Sequence, residues 1–98
     1  MDSPARISPD VLARYAADAT KEVDGVRGLV GDRLRRHDGV RVTEAGDAVA
    51  LEVHVSVAAG TSIPTLGRDV QERVAGYLER MAGVAPATVD VIVHEIGD

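Results

Sequence analysis

Cysteine is absent from the 98 residues, which removes disulfides, thiolate-bound zinc, iron–sulfur ligation and a cysteine nucleophile together. Phenylalanine and tryptophan are absent as well, leaving two tyrosines as the only aromatic residues. A core must therefore be aliphatic, and a pocket lined with rings for a flat ligand is disfavoured. Lysine occurs once, so ten of the eleven basic residues are arginine. No apolar run approaches the ~20 residues needed to span a bilayer. Met1-Asp2-Ser3-Pro4 lacks the basic and then apolar order of a signal peptide. The expectation is a cytoplasmic protein that reaches a membrane only through something else.

What is present describes an ordinary globular chain. Hydrophobic residues make up 45% and charged residues 28%, a balance that permits one modest core. The length fits one domain, expected over residues 8–98 behind a flexible tail of residues 1–7. The net charge of −5 disfavours generic nucleic-acid binding, which draws on a basic footprint. The charge is uneven, however. Arg27, Arg33, Arg35, Arg36 and Arg41 face only Asp32 and Asp38, so this stretch is +3 and the remainder −8.

The local pattern predicts six elements. Ser8-Pro9-Asp10 reads as a helix start, with Ser8 as cap and Pro9 at the first helical position. Leu12, Tyr15, Ala16, Ala19 and Val23 then share one face, and Asp24-Gly25 suggests a stop. Val26 to Val30 forms a short strand interrupted by Gly28, and Gly31 to Gly39 a polar loop. Val40 to Thr43, a turn at Glu44 to Asp47, and the alternating run Val49 to Val57 make a hairpin. Its apolar residues are expected to face a core; Ala50, Glu52, His54 and Ser56 are expected to face water. A second helix begins near Pro64, with Ile63, Leu66, Gly67, Val70, Val74, Tyr77, Leu78 and Met81 within one apolar arc. Gly67 would let it approach the sheet closely, and Asp69 is expected to pair with Arg73 at i,i+4. Gly83 stops the helix, and Thr88 to Ile96 is the last strand. The fold expected is α+β with order α-β-β-β-α-β, a two-layer sandwich of two helices on one face of a mostly antiparallel sheet.

The polar residues form surfaces rather than a catalytic constellation. His37 lies in the polar loop, while His54 and His94 lie on strand faces expected to be wet. Those two would approach one another, with Glu52 or Asp90 nearby, only if their strands were neighbours. No metal-ligand spacing appears, no cofactor is implied, and no G-x-S-x-G elbow exists. Asp69 with Glu72, and Asp18 with Glu22, share open helix faces and read as solvated charge. Gly25-Val26-Arg27-Gly28 matches G-x-x-G, but it leaves a helix for a strand instead of joining two helices. Asp32 to Gly39, "DRLRRHDG", is the better anion-binding candidate. On the polar face of the second helix, Gly76 costs ~1 kcal/mol of helix propensity relative to Ala and would admit a close partner. The partner-binding candidates are therefore Arg27, Arg33, Arg35, Arg36, Glu72, Arg73 and Gly76.

Two blocks carry a resemblance. "ISPDVLARYAADATKEVDGV" (7–26) and "GTSIPTLGRDVQERVAGYLERMAGVAPATVDVIVHEI" (60–96) resemble the signature segments of the alkaline shock protein family, also called the Gls-type general stress family. The second is the more specific. It joins Gly-x-x-Ile-Pro to Val-Gln-x-x-Val (Val70, Gln71, Val74), a Met-x-Gly helix end (Met81, Gly83) and a Val-x-Val strand. Tyr15, Gly67 and Ala82 depart from the usual pattern. The resemblance implies a non-enzymatic bacterial protein of envelope homeostasis and stress response, without catalytic residues or cofactors. It also implies a scaffold that self-associates or is recruited beneath the membrane by a small anchored partner. The alternative is a small nucleic-acid- or anion-binding module using the Arg-rich 27–41 segment.

Overall fold

The computed structural model describes residues 7–31 and 39–96. Ser8 is extended, at φ −68° and ψ 151°, and its Oγ accepts from the Val11 N–H at 3.2 Å. Pro9 opens the helix and Asp10 lies in its positive first turn, so α1 (Pro9–Lys21) starts where the sequence places it. Buried on α1 are Leu12, Ala13, Ala16, Ala17, Ala19 and Thr20. The run of alanines keeps this helix close to its neighbours. The buried Thr20 hydroxyl donates to the Ala16 carbonyl at 2.7 Å, so no polar atom is stranded there. The helix ends three residues before Asp24, and a turn then leads into β1 (Val26–Leu29). Residues 1–6 of the expected tail lie outside the described residues, while Ile7 packs against the core.

β2 (Val40–Ala45) and β3 (Ala48–Ala58) form the expected hairpin, closed by Gly46 and Asp47. α2 (Ile63–Ala82) and β4 (Thr88–Ile96) complete the order α-β-β-β-α-β. β3 is the spine of the sheet. β4 pairs with it in parallel from Ala50 to Ala58, as a strand–helix–strand crossover allows. The opposite edge of β3 is divided between two antiparallel partners: β2 takes Ala48 to Val53, and β1 takes Val55 to Val57. At the division, the Val30 N–H donates to the His54 carbonyl and the His54 N–H donates to the Gly39 carbonyl, each at 2.9 Å. β1 and β2 therefore stand end to end along one edge, and the chain leaves the sheet and re-enters it at one point. Gly39 is required there. Its φ is +93°, and a Cβ would lie 2.7 Å from the Val30 carbonyl oxygen.

Both helices cover the same face of the sheet, α1 over β1 and β2, α2 over β4. Leu51, Val53, Val55 and Val57 of β3 meet Leu66, Val70, Val74 and Leu78 of α2 and the small face of α1. Each such burial contributes roughly 1.5–3 kcal/mol before entropy is counted. Gln71, the polar residue of the Val-Gln-x-x-Val segment, donates to the Val89 carbonyl at 3.0 Å and ties α2 to β4. Gly83, at φ 68°, ends α2 and returns its N–H to the Glu79 carbonyl.

Three expectations need correction. Ile63 and Met81, placed on the buried arc of α2, are 40% and 47% exposed. They stand at the two ends of a 20-residue helix, and the buried stripe spans only Leu66 to Leu78 between them. Gly67 makes no close approach, because a Cβ there would meet nothing within 4 Å. His54, expected to face water, is 6% exposed.

Candidate functional site

The polar face of α2 and the end of α1 enclose a groove of about 410 Å³. Glu72, Arg73 and Gly76, singled out from sequence, all line it, together with Glu22, Asp24 and Asp69. Tyr77 forms one wall. Its ring meets Tyr15 of α1 edge-on, at 5.9 Å between centroids and 78° between planes. The Arg80 guanidinium lies over the same ring at 5.6 Å, within cation–π range. The chain's two aromatic residues are thus spent on one another, holding the helices together beside the groove.

Within the groove, Arg73 does not take the expected partner Asp69. Its Nη1 reaches across to Glu22 Oε1 on α1 at 3.0 Å. Both side chains are well exposed, so this ion pair spans the groove while adding little to the stability of the fold. Gly76 leaves a gap in the helix surface, since a Cβ there would touch nothing within 4 Å. The groove is open, polar and rich in carboxylates, a shape that can receive a projecting side chain of another molecule. Arg27 is exposed on β1, away from this groove. Arg33, Arg35, Arg36 and His37 lie outside the described residues.

The outer face of the sheet holds a second cluster that the sequence shows only in part. Because β3 and β4 are neighbours, His54 Nδ1 comes within 3.0 Å of His94 Nε2, and the rings stack at 5.2 Å between centroids. His54 Nε2 is 2.6 Å from Glu52 Oε2. Both nitrogens of the buried ring are therefore used in opposite directions, toward a carboxylate and toward a second imidazole. Among the described residues no group of three or more His, Asp or Glu converges on a position for a metal ion. Nor is any helix long and apolar enough to cross a membrane, among the same residues.

A family model for the alkaline shock protein 23 family, of cell envelope-related function, matches residues 2–97. The chain belongs to the alkaline shock protein 23 family. Two proteins of Bacillus subtilis are similar to this family member in sequence. The uncharacterized protein YqhY is 29% identical over 101 residues, covering 93% of this chain and 73% of that protein. The uncharacterized protein YloU is 24% identical over 102 residues, covering 92% and 85% respectively. None of these descriptions names a catalytic activity. In fold, this alkaline shock protein 23 family member is similar to the MamM CTD. One doubly substituted form gives a TM-score of 0.61 at 15% identity, covering 90% of this chain and 93% of that one. A nickel form of another MamM CTD variant gives 0.60 at 15% identity, covering 90% and 99%. At that identity the likeness concerns architecture alone.

Proposed function

We propose that this member of the alkaline shock protein family is a non-enzymatic interaction module in cell-envelope homeostasis and stress response. It holds a protein partner, and it does so through the groove between α1 and α2. The observation that carries the reading is the convergence of Glu72, Arg73 and Gly76 on one open groove, with Gly76 leaving room at its centre. The Arg-bearing segment with Arg27, Arg33, Arg35 and Arg36 is read as a second contact, of opposite charge. The cell envelope-related description of the family supports the setting. In this reading the protein works in the cytoplasm, peripheral to the inner face of the membrane. It is held there by a small membrane-anchored partner or by self-association.

The test is an affinity capture from cells under membrane-preserving conditions, comparing wild type with Glu72→Ala/Arg73→Ala. The altered protein is expected to keep its fold by circular dichroism while losing the partner. Recovery of the same partner by both proteins would remove the groove as the binding surface. Sedimentation of the purified protein reports self-association separately.

A further inference from the structure

We propose that Glu52, His54 and His94 form a one-proton latch between β3 and β4, which opens when a second proton binds. A neutral imidazole ring carries a hydrogen on one nitrogen and accepts through the other, and an imidazolium donates from both. An ionised Glu52 can only accept, so at 2.6 Å the His54 Nε2 must carry a hydrogen. The contact between His54 Nδ1 and His94 Nε2 at 3.0 Å then has room for one hydrogen. Two states satisfy it. A neutral His54 accepts from the His94 Nε2–H, or a protonated His54 donates from Nδ1 to a neutral His94.

The pair therefore keeps its hydrogen bond with no added proton or with one. It cannot keep it with two. Two imidazolium rings would set N–H against N–H, with like charges at a centroid separation of 5.2 Å. His54 is fixed from every side: it is 6% exposed, its N–H and carbonyl are bonded to Gly39 and Val30, and its ring is bonded to Glu52. His94 is exposed and lies near the end of β4, which pairs with β3 alone among the described strands. Release therefore frees the His94 side chain, not His54, and removes the side-chain tie between β3 and the last residues of β4.

Among the described residues, Arg41 on β2 and Asp90 on β4 are both in register with Glu52. Arg27 stands at the bulge of β1, between the pairs Val26–Val57 and Gly28–Ser56. Glu52 also makes a further interaction of its own. None of these groups supplies the hydrogen that lies between the two rings.

The sign of the pH dependence follows from proton counting. Opening admits one proton beyond the one that the latch can hold, so acid favours opening, by up to about tenfold per pH unit. The test is amide hydrogen exchange on the whole protein from pH 8 to 5, with rates corrected for intrinsic chemistry and α2 amides as internal reference. Wild-type protection in β4 around His94 is expected to be high at neutral pH and to fall with that slope on acidification. His94→Gln places an amide where Nε2 was, able to donate or accept, so its β4 protection is expected to be flat with pH. His94→Ala is expected to be low throughout. On 15N-labelled wild type, a scalar coupling across the His54–His94 hydrogen bond should be present at neutral pH and vanish in acid. A wild-type β4 that stays protected, or a His94→Gln protein that loses protection as wild type does, would overturn the latch.

Discussion

Replacing Gly76 by alanine separates the two roles that α2 could play. The residue sits inside the helix, and its backbone is not in a left-handed conformation. A Cβ there would meet nothing within 4 Å, and the same holds for Gly67. Each substitution therefore adds no clash and removes the entropic cost of a helical glycine, about 0.5–1 kcal/mol. At about 4–8 °C per kcal/mol for a domain of this size, each variant should melt roughly 2–8 °C higher. The two positions are roughly 13 Å apart along the helix and share no partner, so the double variant should gain nearly the sum. Thermal unfolding by circular dichroism measures this. The informative contrast is in binding: Gly76 lines the groove and Gly67 does not. Gly76→Ala should stabilise the fold and weaken partner capture, while Gly67→Ala should only stabilise. A Gly76→Ala protein that melts lower than wild type would refute the geometry of open space. One that melts higher and binds unchanged would refute the docking reading alone.

Further perturbations follow from single contacts. Gly39→Ala should cost more than the ~1–3 kcal/mol of a strained backbone, because its Cβ also meets the Val30 carbonyl; urea unfolding reads the loss. Ser8→Ala removes the cap of α1 and should cost about 1 kcal/mol in the same assay. A double-mutant cycle on Glu22 and Arg73 should return a coupling under ~0.5 kcal/mol that shrinks further with salt, since both side chains are exposed.

The parts of the fold legible in the sequence are those set by neighbours along the chain. Ser8-Pro9 announces α1 through the chemistry of a helix terminus, and Gly83 ends α2 by accepting a positive φ. The valines of β3 alternate because one face of the strand meets the helices. What the sequence conceals depends on pairings between distant residues. His54 and His94 are 40 positions apart, and only the parallel register of β3 and β4 brings them together. His54 accordingly reads as a wet-face residue, whereas in the fold it is buried. Likewise the choice of Glu22 over Asp69 as partner of Arg73 depends on where α1 ends in space. The α2 groove is half legible: the helix period groups Glu72, Arg73 and Gly76, but the opposing wall comes from α1.

The end-to-end arrangement of β1 and β2 has an evolutionary consequence. Val30 and Gly39 touch, and both are fastened to the same residue of the spine. The chain between them is thus closed at its base by the sheet, and lengthening it adds little further closure entropy. A segment inserted at such a point can be exchanged, extended or recharged while the strands on either side keep their register.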